Sequence, residues 1–387
     1  MHCKTCGESN CKKHSFLLGK TKFIDKIQGS SPPEIFVGRW NYPNVYAGIL
    51  TPEEYGDTEP LSSPEIWHSQ KFPIPTILKL RNKLIYGRTK INIKQSAMRK
   101  KFLPIIQEVA MTHKSIASEM QLKKPITKHD EQDRKVPLIS NTAEMKSIRL
   151  QENAPVKKKI DYLINDSEVK SIQAIKELDK ARISTSSIIK LLSAGLLGLK
   201  KNRKLVPTRW AITATDDILS KEKLSRIRHY SEISEIQVFH SEYLGNHYEF
   251  LLLPEKWSFE VIEISLKDLG VWQDYESFFP RKNYAEDVTG AYYANRLALT
   301  EYLDKIRRQC KCIVLRQISS EYYAPLGVGI LRQISRDAFS RQGDRFNTIQ
   351  EAYKNIQSRL KINIGKYIQK SIIMQNYGQQ KRLSQFF

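Results

Sequence analysis

The spacing at which apolar residues recur changes along this chain, and that change restricts the fold more than any other feature of the sequence. Between 167 and 195 apolar residues recur every three or four positions, as in amphipathic helices. Between 235 and 265 they recur at every second position, as in strands, and a helical stripe returns from about 286 to 308. Because the strands are grouped rather than alternating with helices, the pattern predicts an α+β fold with mixed helices and a small antiparallel sheet.

Capping and turn residues place several of these elements more closely. Ser167 and Ser187 are each predicted to cap a helix, and the second helix is expected to end near Gly195. Gly245-Asn246 separates two apolar runs and predicts a hairpin turn. Residues 91–111 fit either one helix or a strand followed by a helix.

Charge is distributed unevenly along the chain, which carries a formal net charge of +22. Residues 79–159 hold 20 basic and 7 acidic side chains, and residues 354–387 hold 7 basic and none acidic. Such concentration favours a binding surface or a mobile arm for a polyanion over a general solubility effect. The alternative is that both segments are simply solvated, lysine-rich faces.

The length of 387 residues suggests two or three domains. We expect a zinc knuckle at 1–15, an N-terminal α+β domain at 16–270, a C-terminal α+β domain at 271–365 and a flexible tail at 366–387. Weak periodicity and recurring prolines predict a poorly ordered basic connection near 114–160, within the larger domain.

The first residues place four potential metal ligands at C-x2-C-x4-C-x2-H spacing: Cys3, Cys6, Cys11 and His14. Two close pairs of thiolate and imidazole donors suit a tetrahedral zinc ion, and four protein ligands leave no open position for catalysis. The spacing therefore predicts a structural zinc site. His2 is a rival fourth ligand, and free thiols or an iron–sulfur cluster are the alternatives.

Membrane and secretory signals are not evident in the sequence. The longest apolar stretch, Ile183 to Leu199, is interrupted by serines and a lysine, whereas a membrane helix needs about 20 mostly apolar residues. An odd count of five cysteines argues against a disulfide framework, and we expect a cytoplasmic protein. Cys310 and Cys312 share one face of a predicted strand, where burial is the expected role and a redox or metal role the alternative.

The chain ends in the pattern Q-x-x-L-x-x-F-F, formed by Gln380, Leu383, Phe386 and Phe387. This pattern resembles a PIP box, the peptide by which replication and repair proteins dock on the sliding clamp PCNA. The resemblance implies that Leu383 and the two phenylalanines fill an apolar pocket while Gln380 makes polar contacts beside it. A few buried anchors carry most of the energy in such motifs. The alternative is a terminal helix with a hydrophobic end.

Both ends and three internal segments resemble the archaeal Nre family. The internal segments are Ser31-Pro32-Pro33 through Arg39 with Tyr42-Pro43, Leu191 to Gly195 through Thr213, and Gly290 to Ala294 with Arg296-Leu297. The resemblance implies a role in DNA damage repair, an N-terminal zinc finger, a clamp-binding C-terminus, and therefore PCNA and DNA as partners. It also implies a nucleoid-associated location, and it carries no reaction with it.

Basic and aromatic residues in the matched segments are candidates for nucleic-acid or nucleotide binding. Basic side chains between 203 and 209 can contact phosphates, and Trp210 can stack on a base. Apolar neighbours at a spacing of two or four residues favour a place in the core for Trp210. Gly38-Arg39 with Tyr42 is a further possible anion contact. The candidate set is Arg39, Arg203, Lys204, Arg209 and Trp210.

No established catalytic motif is present, and two hypotheses about activity stay open. The first is a clamp-tethered, DNA-binding repair factor. The second is a clamp-recruited enzyme acting on damaged DNA or a nucleotide, by nuclease or glycosidic-bond chemistry, in a pocket lined by these arginines. Asp216-Asp217 with Glu260 and Glu263 can be interpreted as a two-cation nuclease site, or as a helix cap and a solvated face. RNA binding is a third hypothesis.

Overall fold

A computed structural model describes residues 23–94, 102–127 and 141–377, which form two six-stranded sheets and twelve α-helices. The strands are β1 (Phe23–Ser31), β2 (Ile35–Val37), β3 (Asn44–Thr51), β4 (Ile85–Asn92), β5 (Ile116–Thr127), β6 (Asn141–Leu150), β7 (Ile236–Tyr243), β8 (Asn246–Leu253), β9 (Ser258–Ser265), β10 (Val271–Glu276), β11 (Lys311–Ile318) and β12 (Asp344–Phe346). The helices are α1 (Pro64–Ser69), α2 (Ile74–Asn82), α3 (Leu103–Met111), α4 (Lys158–Asn165), α5 (Ser171–Lys180), α6 (Thr185–Ser193), α7 (Thr208–Ile227), α8 (Gly290–Ile306), α9 (Val328–Ser340), α10 (Ile349–Gln357), α11 (Gly365–Lys370) and α12 (Ile372–Asn376).

The first sheet has the strand order β1-β5-β6-β4-β3-β2 and is antiparallel except for the β4–β6 pair. Side chains alternate along its strands, so that one face is apolar and packs against α3 and α6. Ile27, Val45 and Met120 are fully buried on that face. Charged side chains such as Lys90 and Lys123 lie on the opposite, outer face. The first sheet therefore has one dry side and one largely wet side, on which Leu50 and Tyr86 are buried in a smaller apolar cluster.

The second sheet has the order β10-β9-β11-β8-β7-β12, and its parallel pair is β9–β11. Every residue of β8 and β9 is buried. Residues of α8 and α9, such as Tyr292 and Ile334, cover one face, and Ile356, Tyr367 and Ile373 of α10 to α12 cover the other. The second sheet is therefore enclosed on both faces.

Several local predictions agree with the structure. Residues 91–111 form the end of β4 and then α3, with Pro104 in the first turn of that helix. β7 and β8 make the predicted hairpin, but its turn residues are Leu244 and Gly245, both with positive φ. Gly245 therefore occupies the second turn position and Asn246 already begins β8. Cys310 and Cys312 are buried, as expected, and burial raises the pKa of both thiols.

The predicted helix starts are displaced by a few residues. The Ser184 hydroxyl, rather than Ser187, caps α6 by accepting from the Ser187 amide at 3.2 Å. α5 begins at Ser171, four residues beyond the predicted cap Ser167. The end of α6 is as predicted, because Gly195 has a φ of +69° just after the last helical turn.

The prediction of one small antiparallel sheet is wrong, because the chain forms two larger mixed sheets. Part of the difference comes from the supposed basic connection at 114–160, which supplies β5 and β6. Its inward positions include polar residues, which hides the two-residue period. Ser118 is buried and its hydroxyl lies 2.8 Å from that of Ser31, and the Asn141 amide donates to the Asn82 carbonyl at 3.0 Å. These bonds satisfy the buried polar groups.

The supposed start of the flexible tail is also folded. Residues 365–376 form α11 and α12, because Tyr367 and Ile373 are buried against the second sheet. Glu260 of β9 accepts hydrogen bonds from the Ser371 hydroxyl at 2.5 Å and the Ile372 amide at 2.8 Å. The zinc-ligand and clamp-peptide residues lie outside the described residues: Cys3, Cys6, Cys11, His14, Gln380, Leu383, Phe386 and Phe387.

The second sheet draws strands from both sides of the 270/271 position at which the sequence suggested a domain boundary. β9 and β10, which flank that position, pair with each other. Among the described residues, no helix combines the length and apolar character needed to cross a bilayer.

Candidate nucleic-acid interface

The N-terminus of α7 is the point at which distant segments of the chain meet. The Thr208 hydroxyl accepts from the Val37 amide of β2 at 2.9 Å and lies 3.1 Å from the Ser193 hydroxyl of α6. Ser193 in turn donates to the carbonyl of Val206 at 2.8 Å. These hydrogen bonds fix the start of α7 against both β2 and α6.

This arrangement places the loop between β2 and β3 beside the first turn of α7. The rings of Tyr42 and Trp210 lie 5.2 Å apart, and each side chain is 45% exposed. Trp40 is 74% exposed, and the Arg39 guanidinium lies 4.6 Å over its ring. Arg209 is exposed next to Trp210. We call these five residues the arginine–tryptophan surface.

The expectation that Trp210 packs in the core is wrong. Trp210 is half exposed, whereas the next residue, Ala211, is fully buried. Successive residues of a helix are about 100° apart, so only one of these two neighbours can face the core. In α7 the residue that faces the core is Ala211, and the indole of Trp210 is left at the surface.

The chemistry of this surface suits a nucleic-acid strand. Guanidinium groups recognise phosphates in a fixed, forked geometry, and exposed rings offer faces on which bases stack. Within the described residues, neither Arg39 nor Arg209 forms an ion pair with a carboxylate. Both guanidinium groups are therefore available to a ligand.

The outer face of the first sheet adds positive charge towards the sheet edge opposite β2 and the loop that follows it. Glu119 is shared by Lys26 at 3.0 Å and Arg149 at 2.7 Å, and these bonds lower the pKa of Glu119 to about 2. Glu144 accepts from Lys123 at 2.8 Å. Since a carboxylate here serves more than one cation, the face keeps an excess of positive charge, and such a field attracts polyanions.

Arg203 and Lys204 are not part of the arginine–tryptophan surface. The Arg203 guanidinium donates to the backbone carbonyls of Gly198, Ile164 and Asp166, each at 2.8 Å. Burial lowers the pKa of Arg203, and these three carbonyls satisfy its donors. It ties the segment after α4 to the segment after α6. Lys204 is exposed on the same connection.

The two aspartates of the supposed nuclease site are buried in the middle of α7. Asp216 accepts from Arg332 of α9 through both oxygens, at 3.0 and 2.7 Å. Asp217 is paired with Arg296 of α8. The alternative interpretation as a helix cap and solvated face is therefore wrong as well, because both carboxylates join α7 to neighbouring helices.

The two glutamates are engaged elsewhere. Glu260 holds the start of α12, and Glu263 accepts from Arg316 at 2.7 Å. In the described ranges, no three His, Cys, Asp or Glu side chains are grouped to hold a metal ion. The structure therefore does not assemble the two-cation site from Asp216, Asp217, Glu260 and Glu263.

Sequence analysis missed Trp40, although it follows Arg39 directly. The signal was the density of aromatic residues in Arg39-Trp40-Asn41-Tyr42, which is unusual for a loop between two strands. The pairing of Tyr42 with Trp210 has no local signal, because the two residues are far apart in the chain.

Comparison with known proteins gives consistent matches along the chain. Residues 6–273 match the family described as "Archaeal Nre, N-terminal" and residues 276–386 the family described as "Archaeal Nre, C-terminal". DNA repair protein NreB of Archaeoglobus fulgidus is 33% identical over 389 residues, covering 98% of this chain and 97% of the relative. DNA repair protein NreA of the same organism is 34% identical over 357 residues, covering 90% and 89%. DNA repair protein NreA of Haloferax volcanii is 30% identical over 364 residues, covering 90% and 86%. No solved structure matches the chain.

Proposed function

The chain belongs to the archaeal Nre family, and from this membership we propose that it is a DNA repair protein that contacts DNA through the arginine–tryptophan surface. The relatives that it matches are named DNA repair proteins. The observation that carries the proposal is the meeting of two unpaired arginines with three exposed aromatic rings at the start of α7.

The chemistry favours unpaired or distorted DNA over an intact duplex. Aromatic side chains stack on bases only where those bases are accessible, and every base offers a ring face, so this contact tolerates any sequence. Phosphate contacts from Arg39 and Arg209 position the strand without reading it. The basic outer face of the first sheet adds a sequence-independent attraction that weakens as salt rises.

The proposal includes an attachment at each end of the chain. Cys3, Cys6, Cys11 and His14 hold a structural zinc ion, which three thiolates and an imidazole fit by donor chemistry. Gln380, Leu383, Phe386 and Phe387 dock on PCNA. The clamp peptide begins three residues after Tyr377, the last residue that the structure describes, so the clamp is held close to the second sheet.

Fluorescence anisotropy with labelled single-stranded and duplex DNA tests the DNA contact. Trp210→Ala is expected to weaken single-strand binding about 5- to 150-fold, since one stacked base contributes roughly 1–3 kcal/mol. Trp272→Ala is the matched control, because Trp272 is also exposed but lies on β10 of the second sheet. Equal affinities for the two variants overturn the proposal. Competition with RNA of the same sequence distinguishes DNA from RNA binding.

Titration of PCNA with the chain truncated after Gly378 tests the clamp contact. We expect binding to be lost, because the truncation removes all four anchors. A full-length variant with Phe386→Ala and Phe387→Ala is the control for loss of the tail itself. Unchanged affinity of both variants contradicts clamp docking.

Metal analysis of the purified protein tests the zinc site. A Cys3→Ser, Cys6→Ser variant is expected to lose about one equivalent of zinc, since two of four ligands are removed. Cys310→Ser, Cys312→Ser is the control, because both residues are buried in the apolar cluster between the second sheet and the helices α8 and α9. Equal zinc content in the first variant and the native protein contradicts the assignment.

A further inference from the structure

A polar cleft of about 180 Å³ lies between α7, α8 and the loop that joins β10 to α8. The side chains that give it its character are Asp217 and Lys221 of α7, Arg281, Lys282 and Tyr284 of the loop, and Arg296 of α8. Four of these six are cationic and one is anionic. The cleft therefore combines a half-open, concave shape with an excess of positive groups at its wall.

The guanidinium groups of Arg296 and Arg281 are held in place by hydrogen bonds to residues behind the wall of the cleft. Arg296 is fully buried and donates to Glu276 at 2.6 Å and to Ser220 at 3.1 Å, besides its pairing with Asp217. Arg281 donates to the Tyr275 carbonyl at 2.9 Å and pairs with Asp274 at 2.9 Å. Groups held in this way do not have to be ordered when a ligand arrives.

The two lysines are the groups that can respond to a ligand. Lys282 is exposed and forms no ion pair within the described residues. Lys221 pairs with Asp217 at 2.7 Å, but Asp217 keeps Arg296 as a second partner. Lys221 can therefore turn towards an incoming anion without leaving a buried carboxylate unpaired.

The size and lining of the cleft define the class of ligand. Pockets for drug-sized molecules hold about 300 Å³ or more and are mainly apolar, whereas this one is smaller and charged. A single phosphate group fits both properties. Tyr284 stands beside the cleft with 57% of its side chain exposed, so a base attached to that phosphate meets an aromatic ring.

The position of the cleft on α7 relates it to the arginine–tryptophan surface. Asp217 follows Trp210 by seven residues, which returns to the same face of a helix after two turns. The separation along the axis is about 10 Å, at about 1.5 Å per residue. Lys221 lies four residues further along the same face, about 16 Å from Trp210, so the span is about three to five stacked nucleotide steps of ~3.4 Å each.

We propose that the cleft binds a phosphate group of the same DNA strand whose bases stack on the arginine–tryptophan surface, with Lys221, Lys282 and Arg281 as its ligands. The inference rests on the proposed function for the strand, while the phosphate chemistry follows from the cleft itself. A free nucleotide carries the same phosphate, so the test has to separate these two sources.

The experiment measures anisotropy of a short labelled oligothymidine bound to the full chain over a series of salt concentrations. The test variant is Lys221→Gln, Lys282→Gln. The matched control is Lys354→Gln, Lys361→Gln, which removes two exposed lysines on the opposite face of the second sheet. We expect the test variant to bind about tenfold more weakly, the loss typical of one charged hydrogen-bonded contact. We also expect its salt dependence to fall by about 0.7 in the log–log slope, the value for one phosphate on a single strand.

Equal affinity and slope for the test and control variants overturn the inference while leaving the proposed function to the Trp210→Ala result. A second arm titrates deoxyadenosine monophosphate by calorimetry. Suppose that the native protein binds this nucleotide, that the test variant does not, and that both bind oligothymidine equally well. This result overturns the strand assignment and makes the site one for free nucleotides. Unchanged unfolding midpoints of both variants exclude misfolding as the cause.

Discussion

The two sheets use charge in opposite ways. The first sheet leaves much of its outer face open, apart from the part where Leu50 and Tyr86 are buried, and its charged side chains there pair at the surface. The second sheet is covered on both faces, and its charges are buried as arginine–carboxylate pairs that join separate elements. The comparison teaches that the net charge of the chain does not reveal how charge is used, because basic residues of 354–377 also lie in the segment that covers the second sheet. In the second region charge holds the fold together.

Arg81 in the first region is buried and pairs with Glu34 at 2.8 Å, as the buried arginines of the second region pair with carboxylates, but one lysine of the first region differs from them in kind. Near the first sheet, Lys190 of α6 donates to the Pro33 carbonyl, and burial lowers the pKa of this lysine to about 8. In the second region the pKa values of Arg296 and Arg316 are held above the ordinary value despite burial, by their carboxylate partners. One region therefore contains a buried cation that can lose its proton, and the other does not rely on one.

The largest expected effect is the loss of a buried pair in the second region. Arg296→Met leaves Glu276 and Asp217 without their guanidinium partner in a dry setting. We expect the free energy of unfolding to fall by about 3–5 kcal/mol, measured by urea denaturation. A loss below about 1 kcal/mol, the value typical of surface pairs, contradicts the distinction between the two regions.

A smaller effect is expected where the second sheet holds α12. Glu260→Gln removes the charge that accepts from Ser371, Ile372 and Ile373, and hydrogen bonds to charged groups contribute roughly 1.5–3 kcal/mol. Hydrogen exchange at the Ile372 and Ile373 amides is expected to accelerate. Glu321→Gln, at an exposed position, is the control. Unchanged exchange rates show that Glu260 does not anchor α12.

Lys190 predicts a pH dependence confined to the first region. Because its folded pKa is below that of an unfolded lysine, the folded state releases the proton first as pH rises. Stability of the native chain relative to Lys190→Met therefore increases above pH ~8 towards ~10.4, by at most about 1.4 kcal/mol per pH unit. Urea midpoints of both proteins across this range test it. Arg332→Met is the control from the second region, and the same slope there contradicts the comparison.

The smallest effect is expected on the outer face of the first sheet. Arg149→Met is expected to change the free energy of unfolding by less than about 1 kcal/mol, because the pair is exposed. The pKa of Glu119 is nevertheless expected to rise from about 2, since Arg149 is the first cause of its depression. Carboxyl NMR titration measures this shift. An unmoved pKa with a large loss of stability assigns a structural role to this face.

Helices and strands whose signals lie within about ten consecutive residues were predictable from the sequence. The β7–β8 hairpin and α8 follow from local period and turn residues. β5 and β6 were missed because Ser118 and Asn141 occupy inward positions that the period rule expects to be apolar. The basic outward residues of the same strands then looked like a disordered connection.

The candidate site was predictable by residue type but not by arrangement. Arg39, Arg209 and Trp210 were selected from the sequence, whereas the contact of Trp210 with Tyr42 depends on the packing of α7 against β2. The ion pairs of Asp216 and Asp217 join residues 116 and 79 positions apart. No local pattern encodes such partners, so their carboxylates resembled a catalytic pair.

The hydrogen bonds between Glu260 and α12 have a mechanical consequence. The clamp peptide starts three residues beyond Tyr377, a reach of about 10 Å for an extended chain. Under the proposed docking, a force applied by a moving clamp acts first on α12. The hydrogen bonds that Glu260 accepts from α12 then transmit this force to β9. β9 lies between β10 and β11, so the load is shared by hydrogen bonds on both sides of that strand. Under that docking, a pull on the C-terminus acts on a central strand of the second sheet rather than on an edge strand.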